Sequence, residues 1–289
     1  MSLIVTGATG QFGRLTVESL LQRGVPAREI VATGRRLDRL KDLADRGVTV
    51  RAADYADPAS LRAAFEGATR LLLVSGSDPG VRVEQHHNVI EAARRNGAGL
   101  LAYTSIVNAP ASTIRMAADH QASEALLIQS GVPFVLLRNS WYIENYTARL
   151  AAILEQGAIF GSAGEGRVSA ATRAEYAQAA AAVLTGDGHQ DRAYELGGDM
   201  AFTLAELAAE ITAQSGTQVR YTDLPEKDYA RALAENGLPQ PHAEILADAD
   251  QGLRRGELRT NSGDLRRLLG RPTTPLTDAI AAALPSAIT

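Results

Sequence analysis

The 289-residue sequence predicts an α/β protein with a doubly wound parallel sheet and a smaller carboxy-terminal α+β lobe. Three observations predict this architecture. Short β-rich runs alternate with helical stretches through the first half of the chain. Several of these runs are continuously aliphatic, as expected for strands that helices cover on both faces. A glycine-rich turn follows the first run directly, which is the arrangement of a Rossmann-type sheet.

The alternation gives each element of the first half a place in the chain. Helical stretches lie near 12–23, 36–46, 81–96 and 116–130. The expected strands lie near 3–6, 30–34, 49–52, 71–75, 100–104 and 134–137.

Beyond residue 139 the alternation weakens and the chain becomes richer in helix. We therefore expect a Rossmann domain over 1–139 and a smaller lobe over 140–289, with some segments of the lobe returning to the sheet. The segment 237–255 could be a mobile helical flap. Short strands are expected in the lobe near 168–171, 193–196 and 219–221.

Composition excludes several classes of function. The chain contains no cysteine, so disulfides, thiolate nucleophiles and cysteine-ligated metals are excluded, and redox chemistry must come from a cofactor. A net charge of −4, with basic residues scattered among acidic ones, gives no general attraction to nucleic acid. No segment approaches the roughly 20 apolar residues of a membrane helix. No basic leader precedes the first strand, so we expect a cytoplasmic protein.

The turn after the first strand reads Thr-Gly-Ala-Thr-Gly-Gln-Phe-Gly over residues 6–13. Gly7 permits a tight turn, Gly10 lets the backbone approach a pyrophosphate, and Gly13 lets helix and strand pack closely. Free amides at the helix start meet the negative charge. An ordinary glycine-rich turn is the alternative, but strand, turn and helix in register predict dinucleotide binding. The predicted contacts are Gly7, Ala8, Thr9, Gly10, Gln11, Phe12 and Gly13.

The end of the second strand indicates which dinucleotide binds. An NAD site usually carries an acidic residue here, whereas this chain reads Thr33-Gly34-Arg35-Arg36. A carboxylate would repel a 2′-phosphate, but Arg35 can bind it through charge-assisted hydrogen bonds. Arg36 can add to the positive field or stack on the adenine. The plainer alternative for either arginine is to solvate the next helix. NADPH is therefore favoured over NADH.

Two further segments follow strands on the same side of the sheet. Asp54 is placed to receive the adenine amino group, unless it caps a helix, a task for which Asp57 before Pro58 is better suited. After the fourth strand, small residues let the backbone pass close to the adenosine and ribose. The predicted contacts in these segments are Asp54, Val74, Ser75 and Gly76.

Five motifs carry a family resemblance. The glycine turn is generic, whereas the Arg-Asn-Ser-Trp-Tyr-Ile-Glu-Asn stretch over 138–145 is far more specific. With Ala-Asp-Tyr at 53–55, Tyr-Thr-Ser at 103–105 and Ala-Ala-Thr-Arg-Ala-Glu-Tyr at 170–176, it resembles the NmrA-like branch of the atypical short-chain dehydrogenases. Within that branch it is similar to the NAD(P)H:quinone oxidoreductase type 2 enzymes, with triphenylmethane reductase as a relative.

The resemblance implies site residues and a setting that spacing alone does not supply. It implies cofactor contacts at residues 7–12, 35 and 74–76, in agreement with the sites found above. It also implies a homodimer or a monomer in the cytoplasm. The further cofactor contacts that it implies are Asn139, Ser140, Trp141, Tyr142, Ile143 and Glu144.

The best-known short-chain dehydrogenases use a Tyr-x-x-x-Lys pair, in which the lysine lowers the tyrosine pKa. None of the eight tyrosines here is followed by lysine at that spacing. The helix after the fifth strand offers His120 and Glu124 instead. A carbonyl reductase of that kind is therefore not expected.

A quinone asks less of its enzyme, because the hydroquinone anion formed by hydride arrival can take its proton from water. Positioning the two planes roughly 3–3.5 Å apart supplies much of the acceleration. Trp141 and Tyr142 could wall such a slot by stacking, or could form a local aromatic cluster. His120 could orient the acceptor or donate a proton, and Ser105 could bind the acceptor oxygen or the nicotinamide ribose. The plainer alternatives are a surface or capping histidine and a serine that ends the strand.

Other functions stay open at this point. A dinucleotide-sensing regulator without turnover also fits the missing Tyr-x-x-x-Lys pair, and it would leave the acceptor slot plugged. A sugar-nucleotide epimerase or imine reductase suffers from the same missing pair. His86 and His87 have no metal-ligand partners at useful spacing, so no metal site is expected. The sequence favours an NADPH-dependent oxidoreductase that acts on a small quinone-like molecule.

Overall fold

The computed structural model describes residues 2–76 and 80–284. Nine strands are present in this part of the chain. They are β1 (Leu3–Val5), β2 (Ile30–Gly34), β3 (Thr49–Ala52), β4 (Arg70–Leu73), β5 (Leu100–Ile106), β6 (Phe134–Asn139), β7 (Ala158–Gly161), β8 (Arg192–Leu196) and β9 (Arg220–Asp223).

Thirteen α-helices occur in the same described residues. They are α1 (Gln11–Gln22), α2 (Lys41–Asp45), α3 (Pro58–Ala64), α4 (Arg82–Arg95), α5 (Arg115–Gln129), α6 (Glu144–Thr147), α7 (Leu150–Gln156), α8 (Arg173–Thr185), α9 (Leu204–Ser215), α10 (Glu226–Glu235), α11 (Gln240–Arg254), α12 (Asp264–Leu269) and α13 (Leu276–Ala283).

The main sheet has seven strands in the order β3-β2-β1-β4-β5-β6-β8. Strands β1 to β6 pair in parallel, and Ile4 of β1 lies opposite Val31 on one side and Leu71 on the other. The winding reverses between β1 and β4, and doubly wound sheets bind their ligands at the carboxyl ends of such strands. The predicted Rossmann-type fold class is confirmed.

Burial explains why the aliphatic runs form central strands. Every residue of β1, β2 and β5 is buried, as expected where helices cover both faces. Strand β3 lies at the sheet edge and is only partly covered. One large core cluster joins the sheet to α3 and α4 through side chains such as Leu61, Val89, Leu101 and Tyr103.

The described residues divide into two compact units. The first takes in those of 1–106, 119–139 and 173–194, and the second those of 107–118, 140–172 and 195–289. The predicted domain boundary after residue 139 coincides with one of the places where the chain passes between units. The segment 173–194 belongs to the sheet-bearing unit and carries α8.

The second unit contains a two-stranded parallel sheet of β7 and β9, in which Ile159 lies opposite Tyr221. Helices α10 and α11 pack around a small core that includes Tyr229, Leu233 and Ala247. The segment 237–255 is therefore helical over most of its length, as the sequence predicts. Its mobility stays a prediction.

One predicted strand is wrong, and one predicted helix is formed in two pieces. Residues 168–171 form no strand, because Val168 bridges Phe202, Ala171 bridges Tyr142, and the Ser169 amide bonds to Leu258. The segment thus pairs with three different stretches of chain. The helix expected over 36–46 is a 3-10 turn at Leu37–Leu40 followed by the short α2.

The sequence also missed β7, a run of four residues that begins after a left-handed Gly157. In addition, β4 ends at Leu73, so Val74 and Ser75 lie in the loop beyond it. No helix in the described ranges is long and apolar enough to cross a membrane.

Candidate functional site

The glycine turn is a close-packed backbone cradle. Gly7 has φ +60°, a left-handed conformation that a side chain would strain. A Cβ on Gly13 would lie 2.5 Å from the carbonyl oxygen of Gly7, so only glycine lets α1 approach the turn. The amide of Gly10 donates to the Gly7 carbonyl oxygen at 2.9 Å, and the amide of Ala8 donates to the Thr33 carbonyl oxygen at 2.8 Å.

Helix α1 begins at Gln11 without a side-chain cap from Gly10. An anion suits a helix start that no capping side chain occupies. Phe12 is buried beneath the turn, whereas Gln11 is exposed and accepts a hydrogen bond from Arg173. The cradle has the form expected for a pyrophosphate.

A closed ring of hydrogen bonds fixes the strand ends beside the cradle. The Val74 amide donates to Thr6 Oγ1 at 3.0 Å, the Thr6 hydroxyl bonds to Tyr55 Oη, and Tyr55 Oη donates to the Val74 carbonyl oxygen at 2.8 Å. Burial raises the pKa of Tyr55, so its hydroxyl stays protonated. This ring ties the ends of β1 and β4 to the loop after β3.

The two arginines after β2 differ in their contacts. Arg36 forms an exposed ion pair with Asp38, with 2.9 Å between Nη2 and Oδ2, which supports the plainer alternative for this residue. Arg35 is exposed and forms no hydrogen bond or ion pair with another described residue. Its guanidinium is therefore available for a phosphate. Its role as the 2′-phosphate contact stays a prediction.

The two aspartates after β3, Asp54 and Asp57, accept hydrogen bonds from different backbone amides. Asp57 accepts from the Ala59 amide at 2.9 Å and caps α3, with Pro58 at its first position, as the sequence predicts. Asp54 accepts from the Ala56 amide at 3.0 Å through Oδ1 and so shapes its own turn. Its contact with an adenine stays a prediction.

Two side chains of helix α4 bond to the backbone amide and carbonyl of Gly76, in the loop after β4. The Gly76 amide donates to His86 Nε2 at 3.1 Å, and Arg82 Nε donates to the Gly76 carbonyl oxygen at 2.7 Å. Because His86 Nε2 accepts, its proton lies on Nδ1, which is 2.8 Å from Ser123 Oγ on α5. Burial and the nearby charge of Arg82 lower the pKa of His86 to about 3, so it is neutral.

His120 also lies in this buried region. Its Nδ1 is 2.7 Å from Tyr103 Oη, and its side chain is almost fully covered. Burial, followed by the charge of Arg82, lowers the pKa of His120 to about 3. A surface or capping role for this histidine is therefore wrong. A neutral His120 donates a hydrogen bond through one ring nitrogen and accepts one through the other, but near neutral pH it is not the imidazolium that could protonate an acceptor.

Ser105 is bonded to another side chain. Its hydroxyl donates to Glu124 Oε1 at 2.6 Å, and the same carboxylate accepts from Arg138 Nε at 2.9 Å and Nη2 at 2.7 Å. The ion pair neutralises a carboxylate that is almost fully buried. Ser105 would have to give up this bond to donate to an acceptor oxygen, whereas its oxygen can still accept a hydrogen bond. Its predicted role at the acceptor or the nicotinamide ribose stays a prediction.

Asn139 ends β6 with an unpartnered side chain. It is 4% exposed, and neither Oδ1 nor Nδ2 has a hydrogen-bond partner in the described chain. A buried amide without partners costs about 1–3 kcal/mol, so such a group calls for a ligand or water. This orphaned amide is consistent with the cofactor contact that the resemblance implies.

The remaining predicted contacts belong to the second unit. Within it, Ser140 Oγ donates to the Leu258 carbonyl oxygen at 2.7 Å, and the Ile143 amide donates to the Ala171 carbonyl oxygen at 3.0 Å. Their cofactor and acceptor roles stay predictions. These residues are Ser140, Trp141, Tyr142, Ile143 and Glu144.

Sequence reasoning missed several residues that shape the site. Tyr55 was noted only as part of a motif, and His86 and Arg82 received no positional role. A histidine on the apolar face of an amphipathic helix is a usable signal of a structural hydrogen bond, because a buried imidazole needs hydrogen-bond partners. The sequence does not reveal that the partner is the backbone of Gly76.

Comparison with known proteins identifies the family. The family described as NAD(P)H-binding matches residues 7–187. The chain belongs to this family. Within it, the chain is 47% identical to quinone oxidoreductase 2 of Escherichia coli K12 over 279 residues, which is 96% of this chain and 97% of that protein. The predicted resemblance to its NmrA-like branch is confirmed.

Solved structures of NAD(P)H-binding relatives agree with this assignment. The NADPH-dependent quinone oxidoreductase QOR2 of Escherichia coli, complexed with NADPH, superposes with a TM-score of 0.95 at 47% identity and covers 98% of this chain and 100% of its own. Citrobacter sp. triphenylmethane reductase, complexed with NADP(H), gives a TM-score of 0.93 at 38% identity with the same coverage.

Proposed function

We propose that the chain transfers a hydride from NADPH to a quinone or a similar planar acceptor. One observation carries this proposal. At 47% identity the chain matches, over nearly all of both sequences, a quinone oxidoreductase whose structure holds NADPH. The glycine cradle of residues 7–13 supplies the matching phosphate site in this chain.

The residues present fit the cofactor. The turn of residues 7–13 leaves amides at the start of α1 for the pyrophosphate, and Arg35 provides a cation without a partner among the described residues. The orphaned amide of Asn139 supplies polar atoms for the reacting end. The left-handed backbone at Gly7 and the helix start without a side-chain cap are features that a pyrophosphate-binding turn uses.

When bound, NADPH supplies the hydride. The chain's own residues bind and orient the reactants. The ring of Thr6, Tyr55 and Val74 fixes the strand ends that carry the phosphate turn. Neutral His120 contacts the acceptor oxygen but does not release a full proton, since its pKa is about 3. The final proton therefore comes from water, as a hydroquinone anion permits.

A steady-state assay tests the proposal. Purified protein is mixed with benzoquinone and either NADPH or NADH, and the loss of reduced-cofactor absorbance is followed against an enzyme-free control. We expect turnover with both cofactors and a higher kcat/KM with NADPH. Tight NADPH binding without oxidation by any quinone would favour a dinucleotide-sensing regulator.

The setting of the protein belongs to the same proposal. We place the chain in the cytoplasm as a homodimer or a monomer without a nucleic-acid partner, in keeping with its net charge of −4. Light scattering after size exclusion measures the oligomeric state, and a mass above that of a dimer would contradict it.

A further inference from the structure

Tyr103 and His120 form a buried pair inside the sheet-bearing unit. Tyr103 is fully buried on β5, and its Oη lies 2.7 Å from Nδ1 of His120 on α5. The two rings lie 5.9 Å apart at an interplanar angle of 38°. The contact is a hydrogen bond whose direction depends on the tautomer of the imidazole.

Two observations favour the phenol as the donor. Burial raises the pKa of Tyr103, so the phenol keeps a proton that it can donate. The neighbouring Ser123 hydroxyl already donates to the Asp119 carbonyl oxygen at 2.7 Å and meets the Nδ1 proton of His86 at 2.8 Å, whereas Nδ1 of His120 has the Tyr103 hydroxyl 2.7 Å away. We therefore assign Nδ1 of His120 as the acceptor for the phenol, which places the imidazole proton on Nε2.

The neighbouring histidine takes the opposite form. His86 accepts the Gly76 amide at Nε2 and therefore carries its proton on Nδ1. Nε2 of His120, in contrast, has no hydrogen-bond partner in the described ranges and is not among the fully buried unpartnered atoms. It is therefore a donor that remains available to a ligand.

We propose that Tyr103 is a positioning residue that holds His120 as the Nε2–H tautomer, so that His120 offers a neutral N–H to the acceptor's carbonyl oxygen. The acceptor half of this proposal rests on the proposed function. As hydride adds to a ring carbon of the quinone, negative charge develops on this oxygen and the N–H stabilises it. Water then protonates this oxygen, and the loss of the ring C–H proton to water with protonation of the second carbonyl oxygen gives the aromatic hydroquinone.

Nuclear magnetic resonance of the wild-type protein tests the tautomer without any substitution. Protein labelled with ¹⁵N at its five histidines gives long-range ¹H–¹⁵N correlations that distinguish the two neutral tautomers and the cation. Near neutral pH we expect Nε2–H for His120 and Nδ1–H for His86. An Nδ1–H tautomer or a cation at His120 would overturn the proposal, whatever the protein's activity.

Kinetics of Tyr103→Phe test the consequence. We expect kcat with benzoquinone to fall roughly tenfold while the KM for NADPH is unchanged, and the His120 correlations to include the Nδ1–H form. Tyr194→Phe is a matched control, because Tyr194 Oη lies 2.7 Å from Nδ1 of His189 elsewhere in the same unit. It should leave both constants unchanged.

The two proposals fail in distinguishable ways. A wild-type protein without quinone turnover contradicts the proposed function, while its histidine spectrum still reports the tautomer. A wild-type protein that turns over, together with an unchanged kcat and an unchanged His120 tautomer in Tyr103→Phe, removes Tyr103 from its positioning role. The proposed function would stand in that case.

Discussion

Replacing Arg35 with alanine should narrow the preference for NADPH over NADH. Arg35 is exposed and has no ion pair or hydrogen bond among the described residues, so its removal breaks no protein contact and leaves stability almost unchanged. The whole effect then falls on the bound 2′-phosphate. NADH lacks that group and should be indifferent to the change.

The size of the effect follows from the exposure of the contact. A hydrogen bond to a charged group contributes about 1.5–3 kcal/mol, and solvent screening at an exposed position reduces this to about 1–2 kcal/mol. Since about 1.4 kcal/mol is a factor of ten, the ratio of kcat/KM for NADPH to that for NADH should fall about 5- to 30-fold.

The assay uses both cofactors at one quinone concentration and at two salt concentrations, because a phosphate contact weakens as salt rises. Arg36→Ala is the matched control. Its guanidinium is paired with Asp38 at 2.9 Å, so it should change the ratio much less. An unchanged ratio in Arg35→Ala, or an equal fall in both variants, would show that Arg35 does not select the phosphate.

Three other substitutions test separate parts of the structure. Gly13→Ala should abolish NADPH binding in a titration and lower the Tm, because its Cβ would lie 2.5 Å from the Gly7 carbonyl oxygen; an unaffected affinity would refute the cradle. Tyr55→Phe should cost about 1–3 kcal/mol in urea unfolding by orphaning the Val74 carbonyl, and a loss below 0.5 kcal/mol, roughly, would show the ring to be dispensable. Burial raises the pKa of Asp250 to about 7, so folding loses stability as the pH rises from about 4 through 7. Asp250→Asn should therefore raise the Tm more at about pH 8 than at about pH 5, and an equal change at both would contradict that pKa.

The sheet was predictable because its signals are local. The runs at β1, β2 and β5 are buried on both faces. A run of apolar residues without polar alternation indicates such a strand directly. The turn at Gly7 and Gly13 was predictable for the same reason, since glycine is required there by backbone geometry that neighbouring residues impose.

The errors arise where partners are distant in sequence. Residues 168–171 have the composition of a strand, yet their backbone groups bond to three separate segments, which no local pattern reports. The helix expected over 36–46 opens as a 3-10 turn at Leu37–Leu40 before the short α2. His86 has the same difficulty, because its partner is a main-chain amide ten residues earlier.

The hydrogen-bonded ring of Thr6, Tyr55 and Val74 has a consequence for protein engineering. Each of the two hydroxyl groups serves once as donor and once as acceptor, so an apolar replacement at either position strands two partners. Libraries intended to alter coenzyme choice should therefore vary these two positions jointly or leave both untouched. The exposed arginines after β2 can be varied one at a time, because they do not hydrogen-bond to each other.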